Sequence, residues 1–233
     1  MPRTKSTKTR PRKPSRRPQL QPKRVTAKGW KGTGRKHPNK GRRFPVEVLS
    51  DDEMKALIKA ASGRAPTGIR NRALIAVLYR GGLRISEALA LHEKDLDRKG
   101  GTIRVLRGKG GKARTVGLDP GAMALLERWL DRRRKLRLNG HHRIFCTLKG
   151  EPVMASYVRA MLPRLARRAG IEKRVHPHGL RHAHAAELAQ ERFPVNLIQQ
   201  QLGHANLSVT SRYLDHIAPQ ERVEALKGRE WKV

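Results

Sequence analysis

The sequence predicts a mainly helical α+β fold, a helical body carrying a small antiparallel sheet, preceded by a disordered basic arm. Three observations predict it. Beyond residue 47, apolar residues recur at helical spacing through most of the chain. The period shifts to two only around Thr102–Leu106 and Ala113–Leu118, which read as paired strands. Residues 1–46 contain 17 Lys and Arg, no Asp or Glu, and almost nothing apolar beyond Leu20, Val25 and Trp30. Such a segment buries too little apolar surface to offset its ordering entropy.

The whole chain has 233 residues and a formal net charge of +34, half of it in that arm. A balance this basic points to a polyanion, with nucleic acid ahead of an anionic membrane surface. No apolar run is long enough to span a bilayer, and the N-terminus lacks an apolar signal core, so a cytoplasmic, nucleoid-associated protein is expected. Cys146 is the single cysteine, which excludes an intramolecular disulfide and any cysteine-based metal cluster. Its place in Ile144-Phe145-Cys146 predicts a buried small hydrophobe.

Taken in order, prolines 2, 11, 14, 18 and 22 break any helix in the arm, and ordered structure is expected from about Glu47. Ser50-Asp51-Asp52-Glu53 is a capping box ahead of the stripe Met54, Leu57, Ile58, Ala61. A second helix starts near Thr67, carries Ala73, Leu74, Val77 and Leu78, and stops at Gly81-Gly82. Leu83–Leu89 forms a short helix with a charge at its mouth. The two strands follow, joined by Arg107–Lys112, a cationic glycine-rich hairpin tip. Asp119-Pro120 opens a helix with Ala122, Leu125, Leu126, Trp129 and Leu130 inward. His141–Pro152 is a loop, and Met154–Ala169 a helix kinked or broken at Pro163.

His178–Tyr213 holds three candidate helices. His178 and Arg181 are three apart and share a face. Gly203 caps the middle helix, leaving His204 on the turn and Tyr213 on the next helix. Two histidines, an arginine and a phenol drawn together suggest chemistry on a phosphate. Pro219 opens a last helix with Val223 and Leu226 on a small apolar face.

The ordered set GLRISEAL (82–89), RGKGGKAR (107–114), HGLRH (178–182), LGH (202–204) and Tyr213 resembles the tyrosine recombinases, the lambda-type phage integrases, over about residues 45–228. The resemblance implies a recombinase catalytic domain at 47–233, behind the basic arm that composition gives at 1–46. The implied function is site-specific recombination or integration of DNA, as in mobile genetic elements. Strands break and rejoin through a covalent 3′-phosphotyrosyl intermediate, without metal, ATP or other cofactor. Tyr213 would be the nucleophile, with Arg84 and Arg181 clamping the non-bridging oxygens. Lys109 would protonate the leaving 5′-oxygen, with Lys112 its competitor, unless both lysines touch only backbone phosphate. His178 would take the tyrosine proton and His204 donate to a phosphate oxygen, while Glu87 orients a neighbouring basic residue. His176, His182 and His184 read as structural hydrogen bonders.

Implied partners are double-stranded DNA and further copies of the chain, as a tetramer on DNA, with an accessory DNA-bending protein as an optional addition. Three departures stand out. Only the basic arm precedes residue 47, where relatives commonly carry a core-binding domain. Gly179 replaces a usually acidic residue, and His184 a usually aromatic or apolar one. Two other readings stay open: a type IB topoisomerase-like relaxing activity, and a non-enzymatic nucleic-acid-binding protein whose Pro194–Tyr213 region is a helix-turn-helix.

Overall fold

The computed structural model describes residues 47–106, 113–138, 142–203 and 227. The expected arm, the hairpin tip, His204, Tyr213 and the final helix beyond Pro219, apart from residue 227, lie outside the described residues. The elements run α1 (Asp51–Ala60), α2 (Pro66–Arg80), α3 (Ile85–Ala90), a 3-10 turn (Glu93–Asp95), β1 (Leu96–Asp97), β2 (Thr102–Val105) and β3 (Arg114–Gly117). Then follow α4 (Pro120–Lys135), α5 (Ala155–Arg168), α6 (Pro177–Gln190) and α7 (Val195–Leu202).

The expected start of α1 is present. Ser50 Oγ accepts from Glu53 N at 3.2 Å and Glu53 Oε2 accepts from Ser50 N at 2.7 Å, so two donors of the first turn are satisfied reciprocally. Helix α2 is the axis of the body. It is buried on every side, from Gly68 to Tyr79, and packs on α4 and α6, then on α1 and α3. A helix surrounded in this way needs its polar residues paired internally. Arg70 and Asn71 both donate to the Tyr157 hydroxyl, at 2.9 and 3.0 Å, which ties α2 to α5.

Strands β2 and β3 pair antiparallel with Ile103 opposite Val116 and Val105 opposite Arg114. The inward set Ile103, Val105 and Val116 is buried, as the alternation predicts. The sheet has a third member, β1, paired to β2 through Leu96 and Asp97. Two residues are too few to display a period of two, so this strand is invisible as a pattern. Helix α4 starts as expected, Asp119 accepting from Ala122 N at 3.1 Å with Pro120 in its first turn.

Of the kink or break expected at Pro163, the break is absent. Helix α5 runs unbroken from Ala155 to Arg168. Pro163 lies on the exposed face, as does Arg159, so the carbonyl left without its partner can be served by water. Cys146 is fully buried, as expected, between Phe145 and a bridge to Pro152.

His184 departs from the hydrogen-bonding role expected of it. It is 4 % exposed, and neither ring nitrogen has a partner among the described residues. The ring stands edge-on to Tyr79, centroids 6.4 Å apart, and a Cβ on Gly82 would come within 2.7 Å of it. Gly82, at φ +57°, is therefore required both by its backbone and by the space the imidazole fills. Burial, then the charges of Arg80 and Arg181 against the weaker pull of Asp119, pushes the His184 pKa from 6.5 to about 4. The native state thus refuses a proton that the unfolded chain accepts. This contribution is intact above pH 6.5 and is lost as pH falls from 6.5 to about 4. At its limit the loss is about 3 kcal/mol. His184→Phe, read by circular dichroism against pH, is expected to move the acid-unfolding midpoint downwards; an unmoved midpoint would count against this account.

Candidate active site

Of the nominated residues that the structure describes, Arg84 and Arg181 meet at the C-terminus of α7, and Glu87 joins them through Arg84. Helix α7 ends at Gly203, which is left-handed at φ 63° and ψ 49°, as a capping glycine should be. A helix C-terminus presents carbonyls without intrahelical partners and a partial negative charge. Here three successive carbonyls are each met by a different guanidinium. Arg114 Nε donates to Gln201 O at 3.2 Å, Arg181 Nη2 donates to Leu202 O, and Arg84 Nη2 donates to Gly203 O at 3.1 Å.

Each arginine is delivered by a different element. Arg84 is the N-cap residue of α3, placed there by the Gly81-Gly82 turn. Arg181 sits in the first turns of α6, only 2 % exposed, and its Nη1 also donates to Gly82 O. The two arginines proposed as a phosphate clamp thus lie on adjacent carbonyls, although 97 positions separate them in the chain. Arg114 opens β3.

Glu87 lies at the centre, its side chain 2 % exposed. Oε1 accepts from Arg84 Nη1 at 2.7 Å and Arg114 Nη1 at 3.0 Å. Oε2 accepts from Arg84 N at 2.9 Å and Arg114 Nη2 at 2.8 Å. Burial alone would raise its pKa, but the Arg114 guanidinium and the Arg84 backbone amide outweigh that and hold the carboxyl at about 2. Three guanidinium charges against one carboxylate leave the cluster net cationic.

His178 lies one turn before Arg181, with its ring 4.0 Å from that of His182. Although exposed, it is held below its ordinary 6.5 by partial desolvation, then by the charges of Arg181, His176 and Arg84. It is therefore neutral, and able to accept a proton, at neutral pH. His176 has the structural role expected: it is the N-cap of α6, Nδ1 accepting from Gly179 N at 3.1 Å. Lys109, Lys112, His204 and Tyr213 lie outside the described residues.

Two contributors escaped the sequence reading. Arg114 closes the RGKGGKAR stretch, but nothing in that pattern marks it as a site residue among the chain's 53 basic ones. Gln201 pairs with the backbone of Gly117, accepting from N at 3.0 Å and donating to O at 2.9 Å. Both contacts join segments more than 80 residues apart, which no periodicity reveals.

The remaining tyrosines are committed elsewhere. The Tyr157 hydroxyl is held by Arg70 and Asn71. Tyr79 is buried, and that burial together with the Glu187 carboxylate drives its pKa far above the ordinary phenol value. Among the described residues no helix is long and apolar enough to cross a membrane.

With this geometry established, comparison with known proteins places the chain. The family model described as "Phage integrase family" matches residues 47–219. Tyrosine recombinase XerC of Staphylococcus epidermidis is 32 % identical over 185 residues, 79 % of this chain and 62 % of that one. The chain spans about three fifths of the length of the curated relatives it matches. Among solved structures, XerA recombinase superposes with a TM-score of 0.70 at 31 % identity, covering 83 % of this chain and 68 % of the other. XerH site-specific recombinase, bound to a palindromic difH substrate in a post-cleavage complex, gives 0.66 at 30 % identity, covering 78 % and 52 %. The motif order 82–89, 107–114, 178–182 and 202–204, the arginine cluster on α7 and the family match over 47–219 agree, and the chain belongs to the phage integrase family.

Proposed function

We propose that the protein is a site-specific DNA recombinase that cuts and rejoins strands through a 3′-phosphotyrosyl intermediate. The observation that carries this reading is the placement of Arg84 and Arg181 on the two carbonyls immediately before His204. A phosphodiester bound there meets two guanidinium forks. Attack by the Tyr213 oxygen forms the P–O bond to tyrosine and breaks the bond to the 5′-oxygen. The phenolic proton passes to His178, and the leaving 5′-oxygen takes one from Lys109, with Lys112 the competing donor. His204 donates to a phosphate oxygen. As the pentacoordinate phosphorane gains a second negative charge, the clamp's positive charge stabilises it more than the ground state. The new bond retains the phosphodiester's free energy, so religation by the 5′-hydroxyl needs no ATP.

Glu87 holds Arg84 in place from behind. The catalytic domain starts at about residue 47, and the basic arm before it contacts DNA phosphates. The anchoring of residue 47 supports this: Glu47 accepts from Arg174 N at 2.9 Å, while Lys173 donates to Val48 O at 3.0 Å. Residues 47 and 48 therefore lie beside the loop leading into the helix of His178 and Arg181. The protein works in the cytoplasm on nucleoid DNA as a tetramer, with an accessory DNA-bending protein as an optional partner.

A nicked suicide duplex tests the reading, because release of the short strand beyond the cut prevents religation. The expected result is a denaturant-stable adduct on the 3′ end of the cut strand, formed equally in a chelator. Attachment to the 5′ end, or no adduct on any duplex of a nicked library, would overturn it. For the arm, deleting residues 1–43 is expected to flatten the log–log dependence of DNA affinity on salt by about 0.9 per lost phosphate contact. An unchanged slope would remove the arm from the interface.

A further inference from the structure

We propose that Arg114 is a positioning residue for the cleavage step, setting the Arg84 guanidinium and the α7 terminus together, with Gln201 as a second tie between α7 and the strand that Arg114 opens. The inference rests on the recombination reading above and goes beyond it by giving a role to Arg114, the last residue of the 107–114 stretch, and to Gln201, which lies in none of the motifs.

Consider what Arg84 would do alone. A buried carboxylate has two oxygens and room for several donors. Facing a single arginine, Glu87 would draw it into a two-pronged pair, and the fork facing the phosphate would be spent on the glutamate. Arg114 supplies that two-pronged pair instead, at 3.0 and 2.8 Å, so Arg84 needs only Nη1 for Glu87 and can send Nη2 to Gly203 O. The second guanidinium also leaves the cluster with charge to spare once Glu87 is neutralised. An anion with one charge in the ground state and two in the phosphorane then meets a net cationic site.

The contact to α7 gives Arg114 a second function. Among the described residues, apolar packing holds α7 through a small cluster, Ala185, Ile198 and Leu202 with Leu188 and Ala189 against them, separate from the main core. Polar contacts add to it: Arg114 to Gln201 O, Arg181 to Leu202 O, Arg84 to Gly203 O, and the Gln201 amide doubly bonded to Gly117. Gly203 is tailored to this contact, since a Cβ there would stand 2.7 Å from Arg114 Cδ. Strand β3 leads directly out of the hairpin that carries Lys109 and Lys112, and α7 leads directly to His204 and Tyr213. Arg114 and Gln201 therefore join the strand that follows the lysines in sequence to the helix that precedes His204 and Tyr213.

The test is single-turnover cleavage of the nicked duplex by Arg114→Gln, Arg114→Lys, Gln201→Leu, Arg84→Ala and the Arg84→Ala/Arg114→Gln double variant, each with DNA affinity and Tm. Arg114→Gln is expected to cleave about 100-fold more slowly, the scale of losing one preorganised electrostatic group, with DNA affinity within about 3-fold of wild type. Arg114→Lys, which keeps the charge and loses the fork, should recover roughly a tenth of the wild-type rate. The double variant should be no slower than Arg84→Ala by more than about 3-fold, because Arg114 acts through Arg84. Should Arg114→Gln fail to fold, Gln201→Leu carries the test, with an expected loss of about 10-fold at unchanged DNA affinity. Wild-type rates in Arg114→Gln or Gln201→Leu, or fully multiplicative losses in the double variant, would overturn the inference while leaving the recombination reading intact. Absence of adduct with the wild-type protein would overturn that reading, and this inference with it.

Discussion

Tyr213→Phe is expected to abolish covalent capture of nicked DNA, by roughly 10⁴-fold or more, while DNA affinity changes by less than about 3-fold. The size of the effect follows from what the substitution removes. Phenylalanine keeps the ring and its packing, and loses only the oxygen that forms the bond to phosphorus. No other tyrosine can replace it. The chain has three, of which Tyr157 is engaged by Arg70 and Asn71, and Tyr79 is buried beside Glu187, where its ionisation is strongly opposed. The matching phenylalanine variants of Tyr79 and Tyr157 should form the adduct, although Tyr157→Phe leaves Arg70 and Asn71 short of an acceptor and should lower Tm. Undiminished capture by Tyr213→Phe would remove Tyr213 from the reaction and return the chain to its non-enzymatic reading.

The parts of the fold legible in the sequence are those set by neighbours along the chain. The capping box at Ser50, the Asp119-Pro120 helix start, the stop at Gly81-Gly82 and the alternation of Ile103, Val105 and Val116 are all local, and all four are present. Where local rules failed, a distant neighbour had decided the outcome. Pro163 was tolerated because its face of α5 is open to water, a property of the packed body and not of the proline. His184 became a filler between Tyr79 and Gly82 where a hydrogen bonder was expected. In the site, Arg84, Arg181 and Glu87 could be singled out by their motifs, but their meeting at three carbonyls of one helix end could not. Gln201 had no motif to mark it and Arg114 only closed the 107–114 stretch without a role, and the contacts between β3 and α7 show that they belong with the others.

Arg181 carries the second large expectation, because one guanidinium serves both the fold and the proposed reaction. Its two ends hold Gly82 O and Leu202 O, fixing the turn that delivers Arg84 and the helix end that delivers His204. Arg181→Ala leaves two buried carbonyls without these donors, each costing about 1–3 kcal/mol, so a fall in Tm should accompany lost cleavage. That result alone could be mistaken for simple unfolding. Arg181→Lys separates the two effects. A lysine retains the charge but, as a single nitrogen on a flexible stem, cannot span both carbonyls and face a phosphate in a fixed plane. Its expected behaviour is a folded, DNA-binding protein that cleaves roughly 10²–10³-fold more slowly than wild type. A lysine variant that cleaves within about 3-fold of wild type would mean that charge alone suffices at this position and that the fork geometry belongs to the fold. The Arg84 and Arg114 contacts to the same helix end would then have to carry the geometric part of the clamp. The Arg181→Lys rate therefore decides how the three arginines divide phosphate recognition from the holding of α7.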